Sequence, residues 1–175
     1  MKIYLVRHGE TDLNSPVRRM QGSSNISLNE NGRMQAKNTS LKLKNLSFDL
    51  IIASPYKRAY ETASIINEVL NIELITDDRI KERDYGDLEA MPYLKEYCNI
   101  DYDLVSVHGE EYNHYKDRLL DFLDDIKKKY SDKKVLVVCH NGVIGLISCL
   151  IEGMPDDRNY VTKGISNGEI KEIVI

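Results

Sequence analysis

The chain has 175 residues and a mass of 20.1 kDa, which suits one domain with its own core and requires no second one. Lys and Arg number 24 against 28 Asp and Glu, so the net charge of −4 gives no reason to expect nucleic acid or an anionic membrane as a partner. The 3 cysteines form neither a CxxC pair nor an even set, and no apolar stretch approaches the ~20 residues that span a membrane. We therefore expect a cytoplasmic protein with reduced thiols.

The first part of the chain predicts a strand, a helix and a second strand. An apolar run at 3–6 predicts the first strand, and a similar run at 49–53 predicts the second. Both runs are continuously hydrophobic, which is typical of strands covered on both faces. Between them, the capping-box pattern Ser27-Leu28-Asn29-Glu30 predicts the start of a helix that continues to about Lys44.

A second helix is predicted directly after the second strand. Ser54 suits its N-cap and Pro55 its first helical position. The apolar residues that share one face of this helix are Ala59, Ala63, Ile66 and Leu70. A short apolar run at 72–76 then predicts the third strand.

The last third of the chain predicts two helices, a strand and a β-rich tail. An amphipathic pattern over 110–130 predicts the third helix, and the run at 135–139 predicts the fourth strand. Residues 143–153 are apolar nearly all round, which is typical of a buried helix. The tail at 160–175, around Asn167-Gly168, is compatible with a hairpin or with a loop before one edge strand.

Strands that alternate with helices predict an α/β fold. We expect a single domain over residues 1–175, with no repeat or linker. Its three layers are a mostly parallel central sheet with helices on both faces, and an antiparallel strand at one edge of the sheet.

Three of the predicted strands lead into basic or imidazole side chains. In open α/β sheets ligands gather at the carboxyl ends of strands. Here Arg7 and His8 stand at the end of the first predicted strand, Arg58 follows the second, and His140 follows the fourth. Arg58 lies in the first turn of its helix, where the macrodipole disfavours a cation, and its side chain should lean back toward Arg7. Two facing guanidinium groups favour a shared dianion such as phosphate. Taken alone, Arg58 would more often pair with Glu61 on its own helix surface.

Three motifs occur in a characteristic order along the chain: RHGET followed by Asn14, SPYKRAYET at 54–62, and VVCHNGVIG at 137–145. Together they resemble the histidine phosphatase superfamily, also called the phosphoglycerate mutase-like family. Further similarity at 21–36, 79–90 and 108–123 extends the resemblance over nearly the whole chain.

The resemblance implies a phosphatase that works through a phosphohistidine. Positions that match the family's catalytic residues are Arg7, His8, Arg58, Glu82 and His140, and those that match its substrate-binding residues are Asn14, Gln21, Gly22 and Asn141. His8 would attack phosphorus with one ring nitrogen, while a backbone carbonyl near Gly9, Glu10 or Thr11 holds the other nitrogen. Phosphoryl transfer needs positive charge and positioning more than covalent help, and these side chains supply both. Because Asp and His do not cluster at metal-ligand spacings, no metal or cofactor is implied.

Glu82 matches the family's proton donor to the leaving alkoxide, and it would later deprotonate the attacking water. The acidic stretch around Glu82 is, by itself, typical of a solvated loop, and Asp84 is the alternative donor. Three positions depart from the family pattern: Asn141 stands where Gly is usual, Asn25 where Asp is common, and Ala90 where Gly often follows Glu89. If the N–H after His140 must approach phosphate, Asn tolerates the left-handed conformation that this approach needs.

Substrate choice is predicted to lie in residues 84–115, which we expect to cover the pocket. The segment has 6 tyrosines in a chain without Trp, and these offer apolar area and hydroxyl donors to a sugar or ring. Helical spacing favours half-buried helix positions for Tyr112 and Tyr115 instead. In an earlier loop, Ser15, Arg18 and Arg19 could reach the substrate or simply face water.

We expect a metal-independent phosphatase that hydrolyses a small phosphorylated metabolite. The nearest alternative is a phosphoglycerate mutase primed by a bisphosphate, but mutases resembling this family carry longer insertions that exclude water, and 175 residues leave little room for them. The alternative outside catalysis is a weakly active module that binds a phosphate ligand, which the intact catalytic positions disfavour. The sequence is compatible with a monomer or a homodimer.

Overall fold

The computed structural model describes residues 1–175 and contains a five-stranded sheet and four α-helices. The strands are β1 Lys2–Arg7, β2 Leu50–Ala53, β3 Glu73–Thr76, β4 Val135–Cys139 and β5 Ile170–Val174. The helices are α1 Glu30–Leu43, α2 Lys57–Leu70, α3 Tyr112–Lys129 and α4 Asn141–Glu152. All of the predicted strands and helices are present. None of the helices combines the length and the apolar character needed to cross a membrane.

The sheet has the strand order β3-β2-β4-β1-β5. Neighbouring strands are parallel except at one edge, where β5 pairs antiparallel with β1. The predicted mostly parallel sheet with an antiparallel edge strand is therefore confirmed. The tail reaches that edge as a loop followed by a single strand, so the hairpin considered for this region is wrong. Gly168 is bound elsewhere, because its N–H donates to the Arg7 carbonyl at 3.0 Å and its own carbonyl accepts from the Thr39 hydroxyl at 2.6 Å.

The central strands bury side chains on both faces of the sheet. Ile3 and Leu5 of β1 belong to the core shared with α3 and α4, whereas Tyr4 and Val6 belong to the core shared with α1 and α2. Successive side chains of a strand point to opposite faces, so a strand covered on both sides is apolar at every position. This confirms the three-layer arrangement that the continuous apolar runs predict.

The start of α1 differs from the prediction. Asn29 rather than Ser27 is the N-cap, and its side chain accepts a hydrogen bond from the Gly32 N–H at 2.8 Å. Asn29 is also bound to Glu10, which follows β1, through its backbone N–H and its side-chain amide, each at 3.0 Å. The tertiary contact with the loop after β1 thus decides which residue caps the helix.

The start of α2 is also different, since neither Ser54 nor Pro55 has its predicted place. The N-cap position is Tyr56 and the helix begins at Lys57. The free N–H of Lys57 is capped from a distant part of the chain, by the side chain of Asn25 at 2.8 Å. Because a cap can come from any side chain that reaches a helix end, the local sequence alone does not identify it.

Candidate active site

The carboxyl ends of β1, β2 and β4 lie side by side in the sheet, as the register of Arg7 with Cys139 shows. The side chains that follow these strands are therefore neighbours. The rings of His8 and His140, which are far apart in the sequence, have centroids only 5.3 Å apart. Both rings are buried.

A small cavity of about 50 Å³ lies beside the His8 ring. The predicted site residues that line it are Arg7, His8, Asn14, Gln21, Gly22, Arg58, Glu82 and Asn141. His140 is not on the wall of the cavity but stands next to His8. The structure thus brings every predicted site residue into or beside one cavity.

The His8 ring is held in a single tautomer. Its Nδ1 lies 2.7 Å from the Gly9 carbonyl, and because a carbonyl oxygen only accepts, Nδ1 carries the proton and Nε2 keeps its lone pair. Gly9 is therefore the acceptor among the carbonyls that the sequence leaves open. Burial lowers the pKa of His8 well below its usual value, the nearby charges of Arg58 and Arg7 lower it further, and the bond to Gly9 opposes them. The result is a neutral imidazole with one free nitrogen.

Arg58 is fully buried although it is charged. Its guanidinium donates to the carbonyls of Ser24 at 2.6 Å and Gly22 at 2.8 Å, and its Nε has no partner. Burial lowers the pKa of Arg58 to about 10. The surface pairing with Glu61 is wrong, because that carboxylate binds Arg33 at 2.7 Å instead.

Arg7, the residue before His8, repeats this pattern. It donates to the Ile165 carbonyl at 2.8 Å, it has no carboxylate partner, and its Nε is buried without a hydrogen bond. Burial, followed by the charge of Arg18, lowers the pKa of Arg7 to about 10. Two guanidinium groups that donate only to neutral carbonyls and form no ion pair place positive charge at the cavity, which favours an anion there.

Ser54, which the sequence suggested only as a helix cap, instead holds His140. Its hydroxyl oxygen lies 2.8 Å from His140 Nε2 and accepts from the Tyr56 N–H at 3.4 Å, so the hydroxyl proton is available to His140 Nε2. Burial, with a contribution from Arg58, lowers the pKa of His140 well below its usual value. In a neutral ring bonded this way, Nδ1 carries the proton, and Nδ1 is buried without a protein partner. The ring therefore keeps one unused donor.

Glu82 enters the site from the loop after β3. Its carboxylate accepts from the Gly142 N–H, near the start of α4, at 3.0 Å and from the Tyr115 hydroxyl at 3.2 Å. Gly142 permits this approach, because a Cβ there would collide with the Glu82 carboxylate. Asp84, the alternative donor, accepts from the Gly86 N–H at 2.8 Å and lines only an outer groove, whereas Glu82 lines both that groove and the cavity beside His8. The geometry favours Glu82.

Asn141 does not adopt the left-handed conformation considered for it, because it is the first residue of α4. Its side-chain oxygen accepts from the Ile165 N–H at 3.0 Å. Gly164, the residue before, leaves room for this side chain, since a Cβ there would collide with it. Asn141 therefore supports the loop whose Ile165 carbonyl binds Arg7.

Asn14 and Gln21 present amide groups to the cavity. The side-chain oxygen of Asn14 accepts from the Thr11 N–H at 3.0 Å, which leaves its amide nitrogen free to donate. The side-chain oxygen of Gln21 is buried without a partner. Gly22 lines the same wall, but its carbonyl is already used by Arg58.

Two residues without any predicted role support the site. Glu89 accepts from the Ser24 hydroxyl at 2.8 Å and so holds the loop that binds Arg58. Asn167 donates to the His8 carbonyl at 2.9 Å. The sequence carries no signal for either residue. Glu89 is one acid in an acidic stretch, and Asn167 is followed by Gly168, a pair that is common in ordinary turns.

The tyrosines of residues 84–115 have different surroundings. Tyr85 and Tyr93 line the cavity. Tyr112 and Tyr115 lie on α3, as their helical spacing indicates, and Tyr112 is half-buried as predicted, whereas Tyr115 is fully buried. That the whole segment covers bound substrate stays a prediction.

We expect the free energy of unfolding to fall as the pH drops below about 6.5. His8 and His140 have lowered pKa values in the folded chain, so the unfolded chain binds protons first, and stability is lost on acidification. Each ring contributes up to ~1.4 kcal/mol per pH unit in this window. Urea unfolding at intervals from pH 7.5 to 5 measures the slope of the free energy of unfolding against pH. This interval lies above the range where most carboxylates titrate. A double variant, His8→Asn with His140→Asn, should flatten it; an unchanged slope would contradict the prediction.

Comparison with known proteins gives consistent matches over nearly the whole chain. Residues 3–175 match the family model of the histidine phosphatase superfamily (branch 1). The chain is 42% identical to "Uncharacterized phosphatase PhoE" of Bacillus subtilis (strain 168), over 97% of this chain and 89% of that protein. It is 32% identical to "Phosphoserine phosphatase 1" of Hydrogenobacter thermophilus, over 99% of this chain and 86% of that protein. Among solved structures, YhfR of Bacillus stearothermophilus superimposes with a TM-score of 0.83 at 25% identity, over 99% and 91% of the two chains.

Proposed function

Because the chain is a phosphatase that belongs to branch 1 of the histidine phosphatase superfamily, we propose that it hydrolyses small phosphomonoesters, without a metal, through a phosphohistidine on His8. The observation that carries this proposal is the neutral His8 ring, with Nδ1 bound to Gly9, beside Arg7 and Arg58, which have no carboxylate partners. A free lone pair next to two guanidinium groups without ion-pair partners suits attack on a phosphate dianion.

In the first step, Nε2 of His8 forms a bond to phosphorus and the bond from phosphorus to the alcohol oxygen breaks. Arg7 and Arg58 would neutralise the charge on the phosphoryl oxygens, and the unused donors of Asn14 and His140 would add hydrogen bonds. The carboxyl group of Glu82 would give its proton to the departing alkoxide. The alcohol leaves, and the phosphoryl group stays on His8.

In the second step, water attacks the phosphorus of phosphohistidine while the Glu82 carboxylate takes a proton from it. The bond between phosphorus and Nε2 breaks, which releases inorganic phosphate and returns His8 to its neutral form. The carboxyl group of Glu82 is again protonated, so the cycle closes.

The substrate we propose is a small phosphorylated metabolite in the cytoplasm. The cavity of about 50 Å³ suits one phosphoryl group, and the alcohol would occupy the adjoining groove of about 450 Å³. All three cysteines are free and buried, which suits a reducing compartment.

Hydrolysis of p-nitrophenyl phosphate in the presence of EDTA tests the proposed activity. We expect turnover that the chelator does not change, and loss of turnover in EDTA would contradict the metal-independent mechanism.

The mutase alternative is tested with 3-phosphoglycerate, with and without 2,3-bisphosphoglycerate. Because the groove opens the cavity to water, we expect phosphate release, and isomerisation in excess of hydrolysis would favour the mutase.

Glu82→Gln should separate the two steps. Nitrophenolate leaves without a proton, so the variant should release it in a fast burst equal to the enzyme concentration, and then turn over about 10² to 10³ times more slowly than wild type. Alkyl phosphates, which need the acid in the first step, should show no burst. Stopped-flow absorbance measures both phases. Asp84→Asn is the matched control, and the same burst in that variant, with none in Glu82→Gln, would reverse the assignment.

A further inference from the structure

We propose that the groove beside the cavity binds a second anionic group, carried by the substrate's alcohol, and that Arg18 holds this group. This inference rests on the proposed phosphatase function, and it narrows the substrates to phosphomonoesters whose alcohol is itself an anion. The first reason is the continuity of the two spaces. The groove shares Arg7, Arg18, Tyr93, Asn141 and Val161 with the cavity, so an alcohol attached to a bound phosphoryl group extends past these side chains.

Arg18 is held in place but has no anion of its own. Its guanidinium carbon lies 3.6 Å from the centre of the Tyr93 ring, an arrangement that leaves the N–H groups at the guanidinium edge free. The side chain makes no hydrogen bond or ion pair within the protein, and it is exposed at the groove. A planar fork fixed on an aromatic ring is preorganised for an oxygen pair of a carboxylate or phosphate.

The other arginines on the surface show how unusual this is. The pairs that satisfy them are Arg33 with Glu61, Arg79 with Asp77 and Asp125, Arg118 with Glu110, and Arg158 with Asp101. Arg19, next in the chain, donates to the Ala90 carbonyl at 2.7 Å. Arg18 alone among them has no polar partner in the protein.

None of the other charged side chains that line the groove forms an ion pair with Arg18. Lys95 is paired with Asp157 at 2.6 Å, and Glu169 accepts from the Ser166 N–H at 3.0 Å. Arg18 also lies close enough to Arg7 for its charge to lower the pKa of Arg7. Arg7 and Arg18 are neighbouring cations and neither forms an ion pair within the protein, which favours a ligand that carries two anionic groups.

The same geometry changes the expectation for the tyrosines. A sugar or ring stacked on Tyr93 would have to compete with Arg18, which already covers one face of that ring. The phosphate ester of a short hydroxy acid, or the bisphosphate of a short diol, fits better, because its second anion would meet Arg18 at the mouth of the cavity.

Matched substrate pairs test this inference. To test for a carboxylate, kcat/KM for 3-phosphoglycerate is divided by kcat/KM for glycerol 3-phosphate. To test for a second phosphate, kcat/KM for 1,3-propanediol bisphosphate is divided by kcat/KM for the monophosphate of the same diol. We expect at least one ratio to be about tenfold or more in wild type, and to fall toward one in Arg18→Gln. Arg18→Lys, which keeps the charge without the fork, should retain part of the ratio.

Lys37→Gln is the control, since it removes one charge from α1 and lines neither the cavity nor the groove. The inference is wrong if both ratios are near one in wild type, or if Arg18→Gln leaves them unchanged. Dissociation constants of the same four compounds, measured by calorimetry on His8→Ala and on His8→Ala with Arg18→Gln, give the ratios without turnover. Failure of the proposed chemistry would abolish hydrolysis of every compound and leave these binding ratios intact.

Discussion

His8→Ala is expected to lower kcat by about 10⁴-fold or more while the variant still binds phosphate analogues. The change removes the nitrogen that attacks phosphorus, but Arg7 and Arg58, which would bind the oxygens, keep their own carbonyl partners. Steady-state hydrolysis of p-nitrophenyl phosphate measures the loss. The rise in Tm on addition of vanadate reports binding, because a ligand that binds only the folded chain stabilises it.

His108→Ala is a matched control for this experiment, because it removes an exposed imidazole that does not line the cavity. It should keep wild-type turnover. The covalent step is tested separately by quenching wild type and His8→Ala with a ³²P-labelled substrate. Label on wild type but not on the variant is expected, and label or substantial turnover in His8→Ala would exclude this side chain as the nucleophile.

Arg58→Met is expected to lower kcat/KM by about 10³-fold or more, and to abolish the stabilisation by vanadate. The physical reason is the position of the charge: Arg58 is fully buried, faces only neutral carbonyls, and lines the cavity at His8. An anion bound there compensates that charge, so the loss of Arg58 weakens binding and transition-state stabilisation together. Methionine fills a similar space without the charge, which limits the effect on packing.

Arg58→Lys separates charge from geometry at this position. Lysine supplies a point charge but not the planar fork, so activity between that of wild type and Arg58→Met is expected. Arg33→Met serves as the control for removal of an arginine, because Arg33 pairs with Glu61 on the surface. A kcat/KM for Arg58→Met within tenfold of wild type would show that Arg58 has no direct part in catalysis.

Only a small part of the site's support was visible in the sequence. Glu89 holds the loop that binds Arg58, and Asn167 donates to the His8 carbonyl, yet each was one polar residue among many. Hydrogen bonds of this kind join residues that are distant along the chain. Local composition carries no information about which distant atoms will lie within 3 Å of one another.

The sequence by itself determined the elements and their layers, because these follow from periodicities that are local to each segment. Continuous apolar runs required strands covered on both faces, the 3.6-residue patterns required helices, and the motif order indicated the family. The convergence of His8, Arg58 and His140 could also be predicted, since the carboxyl ends of parallel strands meet at one edge of the sheet.

The tertiary structure alone decided the chemical state and the supports of those residues. The tautomer of His8 depends on a carbonyl orientation, that of His140 on the Ser54 hydroxyl, and the cap of α2 on Asn25 from a distant loop. The depth of burial that keeps both rings neutral likewise arises only when the layers have packed. Each of these depends on distances between atoms of remote segments, which come into existence only when the chain has folded.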